Sequence, residues 1–313
     1  MVAPVGGFNQ TSTLGTTGVN WRKLDIVDKI YNVDPTTAPF FESIDKNVTV
    51  RSRQHDWQTR TLQTRALNAM FEGADFTFKN LANPTRVTNY TQILEHGVEV
   101  SRSAAKESYY GTGTKSLMKE QVDLRAVEHR NDIEWNLINA TFAMGTTAAA
   151  QTMRGLRASI TTNTTNALGV TLTETLFVDR MAIAWTLSGI TPDTVLTGVF
   201  NQKIINMFNS LGATRWVDTT TREIVNQVLQ YNSSFGSAQI MLCRDLTTTA
   251  LATSGSELLA YNRSWNHVGW FDKTFLKPVL VDVADAERMV MISELTLQHD
   301  NEKTSWKWIG ASA

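Results

Sequence analysis

The chain has 313 residues, 42% hydrophobic and 19% charged, enough apolar material for a substantial core and enough length for two or more folding lobes. Its 29 basic and 30 acidic residues leave a formal charge of −1, so no global field draws it to nucleic acid or to anionic lipid, and any such contact is local. The single cysteine, Cys243, excludes an internal disulfide framework and a multi-cysteine zinc site, and no run reaches the ~18 to 20 apolar residues of a membrane helix.

Residues 1–20 are rich in Gly, Thr and Asn and read as a tail, with neither the basic start nor the apolar run of a secretory signal. These features predict a soluble intracellular protein. From Trp21, the positions Leu24, Val27, Ile30 and Tyr31 recur at helical spacing, Asn20 is a candidate cap, and Pro35 stops the helix after Asp34. Pro35 and Pro39 each fix φ and push the preceding residue towards extended backbone, so Phe40 and Phe41 are expected on a stiff arm.

Residues 46–80 read as extended and poorly buried, with Phe76 and Phe78 at strand spacing. A two-stranded hairpin is marginal alone, so these strands are expected to lean on something else. Residues 86–100 also read as strand. The strongest periodic signal follows: Met118, Val122, Ala126, Ile133, Leu137, Ala140 and Met144 step by three or four, with His129 filling the gap and Gly145 ending the run. A helix from Thr114 to Ala140 would span about 40 Å at ~1.5 Å per residue.

The middle of the chain reads as a separate lobe. Residues 153–169 are loop-like, residues 191–198 contain a short strand, and residues 201–212 form a compact helix with Asn201 at its start and Gly212 just beyond its end. Residues 239–243 are a buried strand candidate, while residues 223–231 fit helix or strand equally. Further on, residues 277–283 and 287–299 are apolar strand runs, and a turn leads to a final strand in which Trp306 and Trp308 share a face. An antiparallel sheet is expected to close the chain.

Chemistry is sparse. Residues 109–117, YYGTGTKSL, imitate a phosphate loop, but Thr114 precedes Lys115 and Tyr109 stands where the other glycine belongs, so a helix entry capped by Thr112 or Thr114 is favoured. The five histidines are scattered without metal-ligand spacing, and His129 reads as a packed, hydrogen-bonded residue. Cys243 reads as a buried, inert thiol, and no GxSxG occurs. Asp282 with Asp285, and Glu294 with Asp300, are more simply solvated charges than catalytic pairs. Catalytic residues, metals and cofactors are therefore all expected to be none. Arg51, Arg53 and Arg60 cluster around Trp57, which suits a phosphate backbone or, preferably, a neighbouring subunit.

The order of these parts resembles the major capsid proteins of tailed bacteriophages, which share the Hong Kong 97-type fold. The arm end, D-x-I-x-x-x-x-P-x-x-x-P-F, is found within residues 25–41 with Pro35, Pro39 and Phe40 in place. Trp57, Gln58 and Leu62 match a loop element, Glu72 and Gly73 an E-G pair, Val100 and Ser101 a segment before the long helix, and Glu134 a helix glutamate. Glu294, Thr296, Leu297, Asn301 and Lys303 resemble a late element, with Thr296 shifted and Thr304 replacing the usual small residue.

The resemblance implies an α+β fold of five parts: an N-terminal arm over 1–46, an extended β-hairpin loop over 47–86, a peripheral domain with a spine helix over 87–150, an axial domain over 151–270, and a return to the peripheral domain over 271–313. It implies a structural protein, not an enzyme, that self-assembles into pentamers and hexamers of an icosahedral head around double-stranded DNA. Pro35, Pro39, Phe40, Phe41, Arg51, Arg53, Trp57, Arg60, Glu72, Phe76 and Phe78 would make the contacts between subunits. Portal and scaffolding proteins, a decoration protein and non-specific DNA contact are the further partners implied, with no membrane. The shell would be assembled in the host bacterial cytoplasm and end in the virion. Gly73 and Gly97 would serve as hinges during maturation, and Lys46 and Lys79 sit where some relatives cross-link. The alternatives are an encapsulin-like compartment shell and a nucleotide-binding enzyme using Gly111 to Ser116.

Overall fold

A computed structural model describes residues 37–309, apart from 77, 108, 110–115, 168, 209–216, 219–222, 225–228, 247–256 and 280–284; at 217, 218, 223 and 224 only the backbone is described. The helix expected over 21–34, Pro35, the residues 110–115 of the phosphate-loop imitation, and Gly212 lie outside the described residues.

The chain begins with α1 (Pro39–Ser43), β1 (Asp45–Thr49), β2 (Gln54–Thr59), β3 (Thr85–Tyr90), β4 (Gln92–Ser101) and α2 (Arg102–Lys106). The spine helix α3 (Leu117–Asn139) leads to α4 (Leu156–Ser159), β5 (Thr164–Asn166), α5 (Glu174–Ser188), β6 (Thr194–Thr197) and α6 (Val199–Phe208). Then come β7 (Val217–Asp218), β8 (Glu223–Ile224), β9 (Gln230–Ser233), β10 (Gly236–Leu242), β11 (Leu258–Tyr261), β12 (Asn266–Pro278), β13 (Ala286–His299) and β14 (Trp306–Ile309).

Two larger sheets organise these elements. The four-stranded sheet runs β1-β12-β13-β4, with β1 parallel to β12 and the other pairs antiparallel. The six-stranded sheet runs β5-β14-β11-β6-β10-β9. In it β14 pairs with β5 and β11, so the last strand joins the lobe that residues 151–270 were expected to form and does not return to the peripheral sheet. β12 begins at Asn266, well before the expected run, and residues 280–284 lie outside the described residues.

Local chemistry explains the main helix limits. The Ser116 hydroxyl accepts the Lys119 amide at 3.3 Å, which starts α3 later than the expected Thr112 or Thr114 cap. Ala140 ends α3, so Met144 and Gly145, taken as its last turn, belong to the following loop, and Met144 is exposed. α5 was not anticipated, although Thr173 caps it by accepting the Leu176 amide and Gly189, at φ 72°, closes it in the left-handed conformation. α6 begins at Val199, so Asn201 is a buried residue of its first turn and not its cap.

β6 and β11 are buried at every position, so alternate residues serve different cores. Leu196, Leu259 and Tyr261 join Phe40, Ile133, Leu137, Leu295 and Leu297 in one core against α3 and the four-stranded sheet. Val195, Leu258 and Ala260 join Phe177, Met181, Ile205, Trp306 and Trp308 in a second core beneath α5 and α6. Trp306 and Trp308 share that face as the alternation of the last strand predicts. A smaller cluster holds Val98, Val100 and Met118.

Gly155 permits the closest backbone approach behind α3. Its amide donates to the Ala140 carbonyl at 2.9 Å, and an added Cβ would lie 2.9 Å from the Ile138 carbonyl carbon and oxygen. Gly97, by contrast, has nothing within 4 Å of an added Cβ. Gly155→Ala is expected to cost roughly 1–3 kcal/mol of unfolding free energy in urea titration, and Gly97→Ala to leave the midpoint unchanged or higher. Equal midpoints for the two variants would contradict this packing.

Candidate assembly interface

The arm enters the described structure through α1, whose first residue is Pro39; this position needs no amide donor and accepts a fixed φ. Phe40 is 0% exposed and meets the Tyr261 ring edge-on at a centroid distance of 5.0 Å. Its expected role against a neighbouring subunit is therefore corrected: the aromatic ring is already consumed in its own chain's core. Phe41 is only partly buried, edge-on to Trp270 at 6.3 Å, with Lys46 Nζ 4.6 Å from its ring centroid.

Glu134 holds this turn in place. Its Oε1 accepts the Phe40 amide at 2.8 Å and its Oε2 accepts the Phe41 amide at 2.6 Å, while the carboxyl is fully buried. Burial pushes its pKa up to about 7, against the lowering effect of the two amides. Arg130, one turn earlier on α3, pairs with Glu42 on α1. Ser43 Oγ donates to the Phe40 carbonyl at 2.8 Å and lies 2.6 Å from the Tyr261 hydroxyl, completing the clamp.

The extended loop is built differently from the expectation. β2 pairs with β3, from Gln54 opposite Tyr90 to Thr59 opposite Thr85, and the described residues between 60 and 84 form no strand. Phe76 and Phe78 are thus not on a strand: their spacing had suggested one, but no partner strand lies opposite them. The base leans on the body, as expected of a hairpin too small to stand alone. Asn89 is buried, with Nδ2 donating to the carbonyls of Leu297 at 2.7 Å and Arg154 at 3.1 Å and Oδ1 accepting the Arg154 amide. His55 Nε2 lies 2.7 Å from Gln298 Oε1. Thr88 and then Gln54 hydrogen-bond to Asp56 and hold its carboxyl below the usual range.

Beyond that base several large apolar side chains are exposed among polar ones. Leu67 is 94% exposed and Phe78 92%, with Leu62, Phe71, Phe76 and Leu81 also exposed on the same excursion. Leu67, Phe71 and Leu81 were not singled out from the sequence, because they follow neither helical nor strand spacing; their density in a run without a period was the available signal. Glu72 and Gly73 form a turn closed by the Ala74 amide on the Phe71 carbonyl at 3.2 Å, with Gly73 at φ 79°. Gly97 instead lies inside β4 opposite Val290, so no hinge is built there. Arg51, Arg53 and Arg60 are exposed near the base, and Trp57 is partly buried with its ring 5.7 Å from His55.

The residues weighed for catalysis are separated. Glu294 accepts the Thr91 hydroxyl at 2.5 Å beside a cleft of about 360 Å³, whereas Asp300 accepts from Gln298 at 2.7 Å and lies 3.3 Å from His267. Asp285 pairs with Arg102 at 2.8 Å. His129 is buried against Ser293 Oγ at 2.7 Å and His96 Nδ1 at 3.0 Å, and burial lowers its pKa. Cys243 is buried and its thiol pKa is raised by the same cause. Among the described residues no group of three or more His, Cys, Asp or Glu is placed to hold a metal ion.

Comparison with known proteins gives this arrangement its context. No curated protein matches the sequence. Among solved structures, the capsid asymmetric unit of cyanophage A-1(L) superposes with a TM-score of 0.69 at 12% identity, over 95% of this chain and 99% of that one. The capsid of Myoviridae phage XM1 gives a TM-score of 0.66 at 14% identity, over 95% and 100% of the two chains. The SrpI encapsulin of Synechococcus elongatus gives 0.59 at 9% identity, over 93% and 92%. These likenesses carry the Hong Kong 97-type fold, phage and encapsulin alike. A family model described as SU10 major capsid protein matches residues 9–312, and the chain accordingly belongs to that family of structural head-shell proteins.

Proposed function

We propose that copies of this chain join in pentamers and hexamers to close an icosahedral phage head, and that residues 60–84 form the limb by which each copy grips its neighbour. The observation that carries this reading is the exposed apolar excursion. Seven large apolar side chains from Leu62 to Leu81, Met70 among them, stand outside their own subunit's cores. Burying each phenylalanine among them is worth roughly 1.5–3 kcal/mol, so a neighbour's surface is their natural environment. Phe71, Phe76 and Phe78 are the anchors in this arrangement.

Arg51, Arg53, Trp57, Arg60 and Glu72 extend the contact along the loop and supply its polar rim. Pro39 and Phe41 belong to the arm end, where Phe41 retains an accessible edge. Pentamers and hexamers then require portal and scaffolding proteins for a closed head, and a decoration protein is a further candidate partner. The near-balanced charge suits a container that touches packaged DNA without holding it. Assembly would take place in the host cytoplasm. No step of this function calls for catalysis.

The double variant Phe76→Ser with Phe78→Ser is expected to fold with an unchanged subunit Tm, because both side chains are exposed, and to yield free subunits or rings in negative-stain electron microscopy. Closed shells in normal number would remove residues 60–84 from the assembly contact. A second variant addresses the loop tip. Gly73→Val forces a β-branched residue to φ 79°, at a cost of about 1–2 kcal/mol, and is expected to leave particles at the diameter of the precursor form. Expansion to the normal diameter would show that the tip turn plays no part in maturation.

A further inference from the structure

We propose that Glu134 is a proton-operated latch that sets how tightly each subunit holds the base of its own arm. This rests on the reading of residues 37–44 as that base. The carboxyl sits where three parts of the chain meet. From α1 come the Phe40 and Phe41 amides, at 2.8 and 2.6 Å; from the segment after β10 comes Cys243, whose Sγ is 3.9 Å from Oε1; and α3 carries Glu134 itself. The first core seals the remaining side, with Phe40, Ile133, Leu137 and Tyr261 around it.

Burial makes the ionised form costly, and of the nearby charges Asp245 adds to that cost while Arg130 opposes it. On α3, Arg130 is attractive but already paired with Glu42 of α1, while Asp132 is turned to His96. After β10, Asp245 repels the carboxylate, and Arg244 acts chiefly on Asp245. On β11 the Tyr261 hydroxyl is engaged by Ser43 and its own ionisation is opposed by burial. Two amides can satisfy a carboxylate, but they do not replace the water that a free anion would have.

The linkage follows from these geometries. With the arm docked, the carboxyl titrates near about 7, because burial outweighs the Phe41 and Phe40 amides; a solvated glutamate titrates at 4.5. The docked state therefore keeps a proton that the released state gives up between those values. Docking is strongest below pH 4.5 and weakens as pH rises through about 7, by at most on the order of 10²-fold in the docking equilibrium. Acidification tightens the arm on its own subunit, and the grip reaches its weakest at and above about pH 7.

Hydrogen exchange at the Phe40 and Phe41 amides, normalised for the pH dependence of exchange itself, tests this on the full chain as free subunits. The expected result is protection that falls between pH 5.5 and 8.5 in the natural sequence and stays flat in Glu134→Gln. Because that variant leaves one amide facing an NH2 group and can fold poorly, Asp245→Asn provides a second measurement: removing the repelling charge is expected to move the midpoint to lower pH. Constant protection in the natural sequence, a pH dependence that survives in Glu134→Gln, or an unmoved midpoint in Asp245→Asn would each overturn the latch. Electron microscopy of the same samples keeps the assembly reading separate: absence of shells at every pH contradicts the head-shell role without altering the exchange result.

Discussion

Strands β6 and β11 are buried on both faces, and most of the molecule is organised by that constraint. A strand buried on one side leaves its alternate residues for water; here Leu259 and Tyr261 point into one core while Leu258 and Ala260 point into the other. The six-stranded sheet is consequently a shared wall. α5 and α6 cover one side, and α3 with the four-stranded sheet covers the other. The two lobes share the first core, since Leu196 and Tyr261 of one lobe are packed with Leu137 and Leu295 of the other, while the second core lies within the six-stranded lobe.

Against this rigid body the arm and the extended loop are opposites. The arm's first described turn is held by a buried carboxylate, an aromatic pair and a hydroxyl network, all within one chain. The loop is fastened only at its base, where Asn89 uses both ends of its amide on the body. Apolar surface that a free subunit keeps hydrated, at a cost, becomes a source of cohesion when another copy covers it. A subunit built this way is tight where its own fold must persist and leaves large apolar side chains in water along residues 60–84.

Much of the fold was legible in the sequence. α3 was visible because Met118, His129, Ile133 and Leu137 repeat at helical spacing, and its limits shifted only at the caps. β13 and β14 were visible from their apolar alternation. α5 was missed although both its ends are signposted by Thr173 and Gly189: apolar residues such as Ile183, Trp185 and Leu187 occur around its exposed side, so no single stripe stands out. Glu134 carried a motif resemblance but no visible role, because its partners are backbone amides more than ninety positions away in the chain. Phe40 was recognised as important and given the wrong neighbour for the same reason. Sequence spacing shows that a side chain needs cover without telling whether the cover belongs to its own chain.

The return of β14 into the six-stranded sheet has a mechanical consequence. Among the described elements the chain passes between the two sheets three times after α3: outward to β5, back from β11 to β12, and outward again from β13 to β14. Pull applied at one sheet is thus shared by three covalent strands in parallel, and no single link bears the whole load. Drawing the two sheets of one subunit apart would therefore have to extend three chain connections at once.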